Sequence, residues 1–157
     1  MNFIEKRNVL FRVLAAIANL VALATMVGAF TYVVTRKPDD KTLSIIGLLL
    51  ACAFVVMEIV LLIKGKKNEP ALKNIAFNEN DTINKFPVIV VSIGTGFSLA
   101  LLILSIVIFF QNSSLTTKSN MVVIFSIAVY LLVNCLVYYL FLIMFKKRPL
   151  KLEDLIK

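Results

Sequence analysis

The chain has no histidine and no tryptophan, and only two cysteines, four prolines and five glycines in 157 residues. Without histidine there is no imidazole base and no imidazole metal ligand, which removes Ser-His and Cys-His catalytic arrangements. Cys52 and Cys135 each lie deep in an apolar run with no C-x-x-C pair. They read as small packing residues, since a disulfide-exchange centre would place its cysteines together at an accessible surface. Carboxylates are scarce too, nine Asp and Glu against seventeen Lys and Arg. Apart from Glu58 they are scattered through loops, with no paired cluster to hold magnesium and no glycine-rich phosphate loop. The expectation is a protein that is not an enzyme and carries neither cofactor nor metal.

What the chain has in excess is apolar residues, 60% of the total, while only 17% are charged. Soluble domains carry about a quarter charged residues. Here the apolar residues fall in unbroken blocks, which excludes a soluble globular domain, and a disordered chain would collapse at this content. An integral membrane protein is what is left.

A helix needs roughly 20 mostly apolar residues to cross a hydrocarbon core of about 30 Å. Four segments qualify: Val13–Val34, Leu43–Ile63, Pro87–Phe110 and Met121–Phe145. In lipid every peptide group must be bonded internally, so such runs are helices, and the strict alternation of barrel strands is absent. The expected fold is an all-α integral membrane domain spanning residues 1–157, a four-transmembrane-helix bundle of two helical hairpins. Residues 64–86 form its linker.

Thirteen of the seventeen cationic residues fall in three regions: Lys6, Arg7 and Arg12; Lys64, Lys66, Lys67, Lys73 and Lys85; and Lys146, Lys147, Arg148, Lys151 and Lys157. These regions alternate so as to share one face, and short loops rich in lysine and arginine stay on the cytoplasmic side. The expected localisation is a cell (inner) membrane, multi-pass, with both termini and the 64–86 linker cytoplasmic. The net charge of +8 is thereby a topology signal and an attraction to anionic lipid headgroups. It hugs the membrane ends and is not interleaved with aromatics, so nucleic acid is not an expected partner.

Lys6-Arg7 followed by an apolar run up to Ala22-Leu-Ala24 loosely imitates a signal peptide. Arg12 interrupts the run and hydrophobicity continues to Val34, so an uncleaved first helix is expected. Asn112-Ser-Ser114 has the form of a glycosylation sequon, but the lysine- and isoleucine-rich, tryptophan-free composition points to a bacterial chain in which it is silent. Within the linker, Pro70 suits the first turn of a short interfacial helix with Leu72, Ile75 and Ala76 on one face.

Glu58 is the one ionisable residue clearly inside a span, and such residues usually face the protein interior. At 100° per residue it shares a sector with Ser44, Gly47 and Ala51, with Phe54 between. Ala15, Ala18, Ala22, Thr25 and Ala29 on the first helix follow the 3-4 spacing of close helix packing. The first helix is therefore the expected neighbour of the second, and Arg12 with Glu58 forms a candidate ion pair; an unpaired Glu58 would instead be a proton site. Asn19, Ser92, Thr95, Ser98, Ser105, Ser126, Tyr130 and Asn134 are candidates for interhelical hydrogen bonds, and Gly94 marks a close contact or a kink.

Two functions are compatible with these features. The first is a non-enzymatic inner-membrane protein acting through helix–helix contacts with another membrane protein, as an accessory subunit of a complex or as an immunity or stabilising protein. The second is a homo-oligomeric transporter or channel subunit that uses Glu58 as a proton or cation coupling site.

Overall fold

A computed structural model describes residues 3–39 and 42–146. Among them the chain is all-helical, with one isolated β-bridge and no strand: α1 (Phe3–Arg36), α2 (Thr42–Ala76), α3 (Lys85–Gln111) and α4 (Leu115–Phe145). Three stretches, Glu5–Arg36, Lys85–Gln111 and Leu115–Phe145, are long and apolar enough to cross a membrane, which makes this a multi-pass membrane protein. In α2 the apolar stretch among described side chains is Ser44–Met57. The remainder of the expected Leu43–Ile63 span includes Leu43, Glu58 and residues 61–63, whose side chains lie outside the described residues.

The helices overrun the apolar segments. A helix of 34 residues such as α1 is about 50 Å long, well beyond the hydrocarbon thickness. Two expectations are corrected by this overrun. The polar loop expected between the third and fourth spans shrinks to residues 112–114, because Leu115–Asn120 already belong to α4. The linker expected at 64–86 is mostly helix, since α2 continues unbroken to Ala76. Pro70 therefore lies inside a long helix and does not start a short one. It forgoes one intrahelical bond, but the Lys, Glu, Ala and Leu around it are good helix formers and the helix carries on.

The true connection is a compact turn over residues 77–84. Asn78 N–H donates to Thr82 O (2.8 Å), Asp81 N–H to Asn78 O (2.8 Å) and Asn84 N–H to Ala76 O (2.9 Å). Asp81 adopts the left-handed region, φ 57°. Asn84 then serves two helices at once: its side-chain amide donates to Ile75 O at 2.8 Å, closing α2, and it is the N-cap residue of α3. Ala76 is fully buried while Ile75 is exposed, so the expected common face of Leu72, Ile75 and Ala76 is not formed.

Side-chain contacts give the directions. Phe11 at the start of α1 packs on Phe141 and Phe145 at the end of α4. Tyr32 at the end of α1 meets Phe109 at the end of α3, and Ser44 at the start of α2 bonds Asn120 at the start of α4. The start of α1, the 77–84 turn and the end of α4 thus share one end of the molecule, and both short loops lie at the other. α4 is the central helix. It packs closely against α3 and α1 and also touches α2, whereas α1 and α2 touch each other less than either touches α4. From Thr116 to Phe145 only Leu136 and Ile143 of α4 are exposed.

Candidate functional site

The small-residue stripe of α2 faces α4, not α1. Ser44 Oγ donates to Asn120 Oδ1 at 2.9 Å. A Cβ placed on Gly47 would collide with Cγ1 of Val123. Phe54 stacks on Tyr130 with ring centroids 4.6 Å apart and planes 10° apart. All three pairs keep one constant sequence offset, so α2 runs parallel to α4 in register, and Ala51 is buried in the middle of that seam. This corrects the expected pairing of the α2 stripe with the first helix. The physical reason is that α4 offers a large ring at Tyr130 and a branched side chain at Val123 to fill the space the small residues leave. Among the α1 positions, Ala22 and Ala29 are buried, and Ala15, Ala18 and Thr25 are half-buried. This face seats mainly on α4 and meets α2 only along its edge, where Ala22, Met26, Ala51, Tyr130 and Val133 form one apolar cluster.

Serines stand a heptad apart on both α3 and α4. Ser98 and Ser105 on α3, and Ser119 and Ser126 on α4, are all buried. Gly94 joins them: a Cβ there would stand 3.3 Å from Cys135 Sγ, so the close contact expected at Gly94 is with α4. The hydroxyls do not bridge the helices as expected. Ser98 donates to Thr95 O (3.0 Å), Ser105 to Leu102 O (2.8 Å), Ser126 to Val123 O (2.7 Å) and Thr95 to Val91 O (2.8 Å), each within its own helix. A carbonyl one turn back is always within reach of a helical hydroxyl, so these residues behave as small packing groups. Asn134 likewise bonds Tyr130 O of its own helix at 2.9 Å. Ser92 does bridge, pairing with Tyr139 OH at 2.7 Å. The Ser44–Asn120 bridge was not anticipated from the spacing.

Between α1, α2 and α4 lies an apolar cleft of about 190 Å³, bordered by Asn19, Leu23, Met26, Val55, Ile59 and Tyr130. Asn19 Oδ1 is buried there with no hydrogen-bond partner. Val55 and Ile59 bracket position 58 on α2. The side chain of Glu58 lies outside the described residues, and with it the expected pair with Arg12.

At the end shared by the α1 start and the α4 end, aromatic rings and cations converge. Phe141, fully buried, stacks on Phe145 at 4.6 Å and 20°, and Phe11 meets both rings edge-on at 5.5 Å. Arg7 Cζ sits 4.5 Å and Lys73 Nζ 5.4 Å from the centroid of the Phe145 ring. Two distances to one centroid hold the cationic centres no more than about 10 Å apart. At that separation two unit charges repel by about 0.4 kcal/mol in bulk water and more against an apolar surface. Each cation gains from the ring, but neither forms an ion pair with a carboxylate among the described residues. Arg7 Nε and the neighbouring Asn8 Oδ1 are buried without hydrogen-bond partners. Aromatics do lie among the cations at this end, contrary to the sequence pattern, because residues far apart in the chain meet here. Phe141 and Phe145 at i, i+4 were the legible half of the signal.

No protein-family model, curated protein or solved structure matches the chain. Fold and seams together define the class as a helical multi-pass membrane protein whose interior is filled by small residues and rings. Among the described residues there is no group of His, Cys, Asp or Glu side chains placed to hold a metal ion.

Proposed function

We propose that the protein is a four-span inner-membrane protein with both termini in the cytoplasm, acting without catalysis through helix–helix contacts. It would serve as an accessory subunit of a membrane complex, or as an immunity or stabilising protein that shields a partner in the bilayer. α2 supplies the fourth crossing, its apolar residues running from Leu43 to Ile63. The cation-rich regions of the sequence belong to the end formed by the α1 start, the 77–84 turn and the α4 end, which supports a cytoplasmic assignment of that end.

The observation that carries the contact reading is a division among the glycines. Gly47 and Gly94 lie against α4, whereas Gly28 and Gly96 have nothing within 4 Å of where a Cβ would stand. Gly96 and Ala100 on α3 are exposed at i, i+4, as are Ala24 and Gly28 on α1. Small residues at this spacing let another backbone approach closely in lipid, where packing replaces the hydrophobic drive. The test is affinity purification of the full chain from its native membranes in mild detergent, with mass spectrometry and a measured complex mass. The expected result is a heteromeric membrane partner that Gly96→Leu or Gly28→Leu releases while helicity and melting temperature hold. A monomer or homo-oligomer unaffected by either substitution overturns the reading.

The cleft bracketed by Val55 and Ile59 favours a second reading, transport by a homo-oligomer with Glu58 as coupling site. Asn19 supplies that cleft with a polar atom that has no partner among the described residues. Reconstituted flux lost in Glu58→Gln and retained in surface variants is its signature; flux equal to that of empty liposomes removes it.

A further inference from the structure

We infer that Arg7, Lys73 and Phe145 form a discrete binding site for the phosphate of an anionic phospholipid headgroup. The inference rests on the multi-pass membrane assignment and is independent of the partner-binding reading, which uses other faces of α1 and α3.

Two cations are drawn to one ring by the attraction of ammonium and guanidinium groups for an aromatic face. One face of that ring is already stacked on Phe141 and its edge is met by Phe11, so the ring cannot swing away and the cations gather on a fixed platform. Their mutual repulsion is left uncompensated, since neither has a carboxylate partner among the described residues. A guanidinium is planar and suited to bidentate contact with phosphate, while the ammonium adds a point charge from the opposite helix. An anion with several acceptor oxygens that reaches both cations offsets that repulsion.

The depth of the site selects a lipid source for that phosphate. Among the described side chains of α1, the exposed apolar residues Val9, Leu10 and Val13 follow Arg7 within two turns. Arg7 therefore stands where a helix leaves the hydrocarbon for the headgroups. Two clustered cations repel the positive charge of a choline headgroup, so the site favours an anionic glycerol headgroup over a zwitterionic one. The general cationic rim attracts any anionic surface; this site adds geometry to that attraction.

The experiment is native mass spectrometry of the full chain released from detergent micelles with added phosphatidylglycerol, phosphatidylcholine or inorganic phosphate. The wild type is compared with Arg7→Gln, Lys73→Gln, their double variant, Arg7→Lys and Lys85→Gln. Lys85 is an exposed cation that opens α3 at the same end, so it controls for bulk charge. The expected result is at least tenfold preference for phosphatidylglycerol over phosphatidylcholine, reduced about tenfold in the double variant and unchanged in Lys85→Gln. Arg7→Lys keeps the charge and loses the planar fork; partial retention of binding with native helicity separates recognition from folding. Equal loss in Lys85→Gln overturns the site in favour of diffuse rim attraction. Displacement of the lipid by millimolar inorganic phosphate overturns the lipid assignment. If the Arg7 and Lys73 variants leave lipid binding intact but lose a co-purifying protein, the site belongs to a protein carboxylate and the inference falls.

Discussion

Gly47 of α2 lies so close to Val123 of α4 that any Cβ at position 47 would overlap the valine side chain. Between Gly47 and Ser44 on one helix and Val123 and Asn120 on the other, two parallel helices are held at close range and in a single register.

That contact yields the first prediction. Gly47→Ala forces Val123 or the helix backbone to shift, and overpacking of this kind costs about 1–3 kcal/mol. Gly96→Ala meets open space, and the better helix former is neutral or stabilising by up to about 1 kcal/mol. Reversible unfolding of both variants in mixed micelles checks the opposite signs.

The Ser44–Asn120 hydrogen bond is a cross-helix polar link between α2 and α4. In a double-mutant cycle with Ser44→Ala and Asn120→Ala, a coupling energy of about 0.6 kcal/mol is expected, with about 1.7 as the upper end for such bonds in lipid. Ser98→Ala and Ser105→Ala remove hydroxyls that bond only their own helix, so each is expected to be nearly neutral.

Phe141 is fully buried and touches the rings of Phe11, Phe77 and Phe145. Truncation to alanine leaves a cavity at the point where the ends of α1, α2 and α4 meet. A loss of roughly 3 kcal/mol or more is expected for a buried phenylalanine. Phe110→Ala, at an exposed ring on α3, is the matched control and should leave the melting temperature unchanged.

The Arg12–Glu58 pair, as proposed, predicts non-additivity. Arg12→Ala and Glu58→Gln should each lower the melting temperature in detergent, and the double variant should lie close to the worse single one. Two single variants both near wild type rule out the pair as a structural tie.

Much of the fold was legible because lipid imposes a severe rule on the backbone. An apolar run of sufficient length has to be helical, so α1, α3 and α4 follow from hydrophobicity alone. The ends were less legible, since helical bonding continues past the last apolar residue wherever good helix formers follow, as in the segment ending at Ala76 and in Leu115–Asn120. Ala22, Ala29, Ser44, Gly47 and Ala51 are buried and Gly94 stands against Cys135, while the equally spaced small residues Ala24, Gly28, Gly96 and Ala100 are exposed. Their spacing carried no information on the partner.

The amino-acid sequence by itself determined that this is an α-helical membrane protein and where small residues fall along its helices. Those properties depend on composition and local periodicity, and the bilayer acts on them residue by residue. Only the tertiary structure decided that α4 is the central helix, that the α2 stripe runs along α4 rather than α1, and that Arg7, Lys73 and Phe145 share one site. Residues 7, 73 and 145 come from three helices, and no local rule relates them. Their meeting follows from the fit of small residues on three helices to the rings and branched side chains of α4.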